Sequence, residues 1–565
     1  MEKFSVFRTA CFFAALSILA PLAFPGPQIR ALGVKNAASY ALAEKIGIAP
    51  GSMFIVQGID LGPEALVQAA PPYPARLPED AQGTVITITS AADGVPRTAW
   101  MIYSWNWQVA AILPSDIPDG PADLTVAYAG ESSEPHRIQI IPRGPGLFTT
   151  SMTGAGPTVA QIYHSPTDQP LNGLTRPLLP GQWLILWATG LGPIDAPDNE
   201  RPPVGDVAPD LIVEIGSLQL KPSYAGRAPG YPGIDQINVW IPPDAALPED
   251  CYTPIRLRAG EFVSRDAAVT TGRSPGPCPH PLGLPPETLA RLDAGGRAAI
   301  ASISLISRRM EEPPGGGVIP SGARSRVSAW LFSVAGPHLF FVPSGVRSGE
   351  PGCALAGGGS IVRISDGIPP APSSSPYQGV DAGEVLTVAG PAGRTLQLTK
   401  AENFAETGNY RHDPLPEDFL APGDWTVTAP GGPDAGPFSA SIRFPGLPPV
   451  ELPAEIDRSQ DLTLTWPTAG YLPEDFFTVT VSSAHSPPGD ADTQIFTRVE
   501  CRVPASAGTL TIPAALLSQL PGVEQAQIQV SHQPVPAQAA PITAAGIDAG
   551  RLVFSASTIR RVEMR

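Results

Sequence analysis

Apolar and polar positions alternate with a period of two along much of the chain, which puts successive side chains on opposite faces of an extended strand. Asp123 to Tyr128 and Ile255 to Arg258 carry this pattern, each bounded by Gly, Pro or Asp. Other strands are continuous apolar runs that follow a Pro-Gly turn, such as Trp183 to Trp187. Asp461 to Trp466 and Phe476 to Ser482 predict strands near the C-terminus. Helical signals are few. Leu284 to Leu292 predicts a helix, with Pro285 and Pro286 at its start and Gly295-Gly296 beyond it. Ala514 to Gln519 predicts a second, short one. The expected fold class is all-β: tandem immunoglobulin-like β-sandwiches followed by further β-rich domains.

The pattern also repeats at long range. Ala49-Pro-Gly-Ser-Met-Phe-Ile-Val-Gln-Gly-Ile-Asp-Leu-Gly-Pro63 aligns with Leu179-Pro-Gly-Gln-Trp-Leu-Ile-Leu-Trp-Ala-Thr-Gly-Leu-Gly-Pro193 at an offset of 130. Gln108-Val-Ala-Ala-Ile-Leu-Pro114 aligns with Gln236-Ile-Asn-Val-Trp-Ile-Pro242 at an offset of 128. Two blocks in one order and nearly one spacing mean two copies of one domain. The organisation read from these signals is a leader at 1–31, a first copy at 33–143 and a second at 144–280. A helical connector follows at 281–296, then a β-rich domain at 297–444 and a C-terminal sandwich at 445–565, divided at Pro445-Gly-Leu-Pro-Pro449. Whether 297–565 forms one domain or two stays open.

Composition sharpens this picture. With 70 Pro and 57 Gly, helices are short and strands punctuated, while 43% hydrophobic residues supply several cores. A net charge of −16 excludes nucleic acid as a partner class and favours a soluble monomer. Lys3 and Arg8, the apolar stretch Ala10 to Phe24 and the turn residues Pro25 to Ala31 describe a secretory leader, cleaved between Ala23 and Ala31. Cys11 lies too early in it for a lipid-modified cysteine, and no later segment approaches 18 uninterrupted apolar residues. Four cysteines remain, and an even number in an exported chain reads as disulfides. Of three pairings, Cys251–Cys278 and Cys353–Cys501 are favoured, because the second bridge then stays within 297–565.

Candidate chemistry is sparse. Gly272-Arg-Ser-Pro-Gly276 matches the nucleophile-elbow pattern, but the prolines around it predict a loop where that motif needs a helix. His136, His164, His280, His338, His412, His485 and His532 are scattered and read as solvated loop residues. Asp195 to Glu200, and Asp490 with Asp492, lack the ordered oxygen spacing of a calcium loop. No cofactor or metal is expected. Tyr103, Trp105 and Trp107 alternate, so an extended segment would put all three rings on one face, as a candidate ligand-binding strip. The competing reading buries them in a core or between the copies. Trp183 and Trp187 lie in an apolar run and are expected in the core.

Residues 33–272 resemble the paired immunoglobulin-like module of secreted acidobacterial proteins, which has no established function. The resemblance rests on Asn36-Ala-Ala-Ser39, Ile48-Ala-Pro-Gly-Ser52, Pro145-Gly-Leu-Phe148, Ala188-Thr-Gly-Leu-Gly-Pro193, Tyr224-Ala-Gly-Arg-Ala-Pro-Gly230 and Gln236 to Pro242, in that order. More loosely, Asp381-Ala-Gly383, Ala421 to Val427, Asp457 to Gln460, and Cys501 with Val503 to Ala514 resemble the tail that follows it in some members. The resemblance implies export and a β-sandwich fold and supplies no catalytic residues. Tyr103 to Trp107 departs from the compact turn usual before the Gln-Ile-Asn motif, and Ala110 stands where Asn is usual. The first expectation is therefore a non-catalytic secreted or cell-surface protein, with the periplasm as the alternative location, acting by structural or adhesive contact with an extracellular protein or polysaccharide. A carbohydrate-binding accessory protein using the aromatic strip is the second. An exported enzyme with its site in the C-terminal half is the third.

Overall fold

The computed structural model describes residues 26–260, 262–265, 267–311, 323–339, 352–356, 360–362, 375–473, 475–485, 493–520, 526–534 and 538–565. Most of the expected leader lies outside them, as do Asp490 and Asp492.

The first copy is a two-sheet sandwich. One sheet orders strands Gln28–Asn36, Met53–Ile59, Gln108–Ile112, Trp100–Ser104 and Val67–Gln68; the other orders His136–Ile140, Gly120–Tyr128, Val85–Ser90 and Pro96–Thr98. Alternate residues face inward, so Phe54, Val56, Val109, Ile86, Ile88 and Leu124 bury one another between the sheets. Each such side chain contributes roughly 1.5–3 kcal/mol of burial. The folded copy begins at Gln28 rather than Gly33, because Gln28 and Ile29 pair with Ile59 and Gly58.

The second copy repeats the plan. Strand Trp183–Thr189 pairs with Asp235–Trp240 over a core that includes Leu184, Leu186, Ile237, Val239 and Leu257. The repeat holds in register: Met53 lies opposite Ile112 and Gln57 opposite Gln108, as Trp183 lies opposite Trp240 and Trp187 opposite Gln236.

Helix Pro286–Asp293 forms where expected, with proline in its first turn and Gly295 at φ +83° just past its end. It is a packed joint rather than a loose connector. Leu289 and Leu292 sit in one cluster with the Cys251–Cys278 disulfide, Leu174, Tyr252, Ala298 and Val334. The Asp293 carboxylate accepts the Leu174 and Thr175 amides, both at 2.8 Å.

The expected boundary at 445 falls between two cores that share one sheet. Among the described residues beyond 296, two cores form and one 16-stranded sheet runs through both. Strand Ala549–Met564 pairs parallel with Arg297–Glu311 and antiparallel with Ala526–Gln533. Leu552, Phe554 and Ala556 fill the core built by 297–444, and Val562 and Met564 fill the other. In the opposite sense, strand Gly352–Ala356 leaves the first unit to pair with Thr493–Pro504, where Cys353 bridges Cys501. Each unit lends the other a strand, so a cut at 445 would remove part of both cores.

Candidate functional site

Most of the stretches that carry the sequence resemblance meet at the joint between the two copies. Arg227 and Asp235, 1% and 0% exposed, form an ion pair there. Arg227 also donates to the carbonyls of Gly51 (3.1 Å) and Gly192 (2.6 Å), tying the first copy's Pro-Gly turn to the second copy's Gly-Leu-Gly-Pro loop. Asp235 accepts the Leu191 amide at 2.9 Å. Burial raises the Asp235 pKa even beside the Arg227 guanidinium, and either partner left alone would cost more still. Asn36 donates to the Gly144 carbonyl at 3.1 Å and accepts the amides of Ala38 and Ser39. The Met53 amide donates to Thr189 Oγ1 at 2.9 Å, and that hydroxyl donates to the Gly233 carbonyl at 2.7 Å. Asp198, from the acidic loop Asp195 to Glu200, accepts the Ser115 amide and hydroxyl at 2.6 and 2.7 Å, and burial raises its pKa. These residues hold two sandwiches in one orientation.

Tyr103, Trp105 and Trp107 do not form one extended strip. The strand ends at Ser104, the chain turns through Trp105 to Trp107, and the next strand starts at Gln108. All three rings are half-buried. Trp105 Nε1 donates to the Glu64 carbonyl at 2.9 Å, which folds the turn back over a neighbouring loop. Tyr103 accepts a hydrogen bond from Gln108, and burial pushes its hydroxyl up to about 12.

The aromatic face lies in the second copy instead, on residues expected in its core. In strand Trp183–Thr189 the inward positions are Leu184, Leu186 and Ala188, so Trp183 and Trp187 stand on the opposite face. The run is apolar on both faces, which is why periodicity alone assigned it to the interior. Pairing places Tyr163, Trp183 and Trp240 in one row across three adjacent strands. The Trp183 and Trp240 rings lie 5.2 Å apart at 53°, and Trp240 is 38% exposed. Trp187 meets Tyr231, 58% exposed, edge to face at 6.4 Å. Amides surround the rings. Gln161 Oε1 accepts from Trp187 Nε1 at 3.0 Å, and Gln236 donates to Asn238 at 2.9 Å. A row of rings rimmed by uncharged donors and acceptors can stack flat apolar surfaces and hydrogen-bond their hydroxyl edges.

Two histidines expected in solvated loops are buried. His280 Nε2 lies 3.1 Å from the Tyr252 hydroxyl, which itself donates to the Leu339 carbonyl at 2.6 Å, while His280 Nδ1 accepts the Leu282 amide at 3.2 Å. These partners fix the neutral tautomer protonated on Nε2, and burial lowers its pKa to about 4. His532 packs among Tyr471, Phe477 and Phe554. Gly272 to Gly276 is a loop with no helix after its serine. Among the described residues no helix is long and apolar enough to cross a membrane.

No protein-family profile matches the chain, and neither does any curated protein. Among solved structures it is similar to SGBP-B from a xyloglucan utilization locus in Bacteroides uniformis, at 13% identity over 70% of this chain and 88% of that one, with a TM-score of 0.16. It is similar to the FN1–FN3 domains of chicken CNTN1 at 9% identity over 74% and 100%, with a TM-score of 0.13. Domains 5–6 of the S-layer protein SbsC match at 10% identity over 44% and 99%, with a TM-score of 0.16. At these scores the likeness carries no argument about function, and the immunoglobulin-like assignment rests on the two-sheet ladders described above.

Proposed function

We propose that this chain is an exported, non-catalytic surface protein that holds a neutral polysaccharide on the aromatic face of its second sandwich. The observation that carries this reading is the row Tyr163, Trp183 and Trp240, set across three paired strands with amides beside it. No charged side chain lies in that row, so the chemistry favours uncharged sugar rings over ionic partners. Two disulfides fit an oxidising compartment outside the cytoplasm. The packed joints supply the other half of the role, because they fix where the aromatic face points relative to its neighbours.

Affinity electrophoresis of the purified chain through gels containing neutral polysaccharides tests this. The expected result is retardation by at least one neutral polymer. The Trp183→Ala/Trp240→Ala double variant should bind about tenfold or more weakly, as loss of ring stacking on that scale requires. Trp105→Ala should bind normally. Both rings lie outside the core cluster, so the double variant keeps the fold, which a thermal melt verifies. A folded protein that no neutral polymer retards would overturn the proposal and favour a protein partner.

A further inference from the structure

The C-terminal sheet has a second outward face of different chemistry. In strand Arg324–Ala335, Val327, Ala329 and Leu331 enter the core, so Arg324, Arg326, Ser328, Trp330 and Phe332 stand on the other side. Pairing carries this face across the neighbouring strands. Trp330 lies opposite Ser302, which lies beside Arg551, and Arg324 lies opposite Arg308. At one end the face is covered by the helix joint, through Ala298, Ile300 and Val334. Where that cover stops there is a cavity of about 440 Å³ lined by Trp330, Phe332, Arg551, Leu282, Leu339 and Pro541. Trp330 is 49% exposed. Arg551 is half-buried in the same cavity, and burial lowers its pKa with no carboxylate among the described residues opposing it.

Further along, at about 7 Å for every two residues of strand, come Arg326 and then the facing pair Arg324 and Arg308. Arg324, Arg326, Arg411 and His412 line a second groove, of about 600 Å³, with Glu417 also in its wall. Arginines facing each other across a ladder repel by Coulomb energy. In a chain of net charge −16 their gathering on one face is the exception.

We propose that this face binds an acidic polysaccharide, with Trp330 stacking on one sugar ring, Arg551 pairing with that ring's carboxylate, and Arg326, Arg324 and Arg308 meeting the carboxylates that follow. A planar guanidinium takes a carboxylate in two parallel hydrogen bonds, and the cavity's partial dryness strengthens them. An indole beside it supplies the flat surface that a sugar ring needs and a bare phosphate does not. This goes beyond the neutral-sugar face of the second sandwich, shares no residue with it, and stands if that face fails.

Isothermal titration of the full chain with polygalacturonate, its fully methyl-esterified form and a single-stranded oligothymidylate decides the matter. The expected outcome is saturable binding of the polyuronate that weakens with salt and is absent for the ester. Arg551→Gln and Trp330→Ala should each weaken it about tenfold or more. The exposed Arg326→Glu, which leaves the core untouched, should weaken it as well. A folded protein that ignores polygalacturonate, binds the ester equally or takes the oligonucleotide as tightly overturns the proposal. So does polyuronate binding that all three variants leave unchanged.

Discussion

The two copies of the first region share one ladder and differ in what lies against it. In the first copy Met53 and Ile112 face away from their own core, yet Ile112 is fully buried, because Gly233 of the second copy packs on the pair. The equivalent pair in the second copy is Trp183 and Trp240, and Trp240 is open to solvent. The third module attaches elsewhere, through the helix and the Cys251–Cys278 disulfide. A surface used for docking in one copy is thus left free in the other, and aliphatic side chains there are replaced by indoles. The repeat supplies the frame, and its departures mark where the chain does something other than stack.

The comparison breaks most sharply at the ion pair that seats the second copy on the first. Arg227→Met leaves Asp235 buried without its cation and frees the carbonyls of Gly51 and Gly192. Breaking such a pair costs about 3–5 kcal/mol, so urea unfolding should lose about that much stability in the module pair. Arg227→Met/Asp235→Leu should recover much of it. A single variant within about 0.5 kcal/mol of the parent would mean that the pair does not hold the joint.

Much of this architecture is legible in the sequence. Pro-Gly turns, the offset repeat and period-2 runs place the strands of both copies, and cysteine arithmetic places both disulfides. The aromatic face is not, because Trp183 to Trp187 is apolar at every position and a strand buried on one face reads like one buried on both. Nor is the interlocking of the last two units. Strand exchange pairs residues about 250 positions apart, and local pattern carries no trace of such partners. The joint was visible only as motif. Its Arg227, Asp235 and Asn36 look like loop polar residues until the fold brings them together.

The two joints should also part company under acid. The first is held by an ion pair, and the second contains His280, kept neutral by burial and by the Leu282 amide. With a folded pKa of about 4 against about 6.5 unfolded, the unfolded chain binds the extra proton first. This contribution to stability is therefore complete above pH 6.5 and is lost as pH falls toward 4. Its size is about 3 kcal/mol. Melting curves from pH 7 to pH 4 should show a fall that His280→Gln reduces. An unchanged slope in that variant would assign the acid sensitivity to other groups.

The smallest effect gives the finest test of the open face. Gly51 and Gly181 occupy the same place in the two Pro-Gly turns and share a left-handed backbone, at φ +73° and +80°. Alanine at either position should lose about 1 kcal/mol to that backbone alone. A methyl at Gly51 would also run into the Arg227 guanidinium and Ser115, whereas at Gly181 the nearest atom is Pro243 Cγ at 4.0 Å. Gly51→Ala should therefore be the more destabilising in parallel urea titrations, by a further ~1–3 kcal/mol. Equal losses would mean that the second copy's turn is as closely covered as the first, and the aromatic row beside it would then be an interface rather than a binding face.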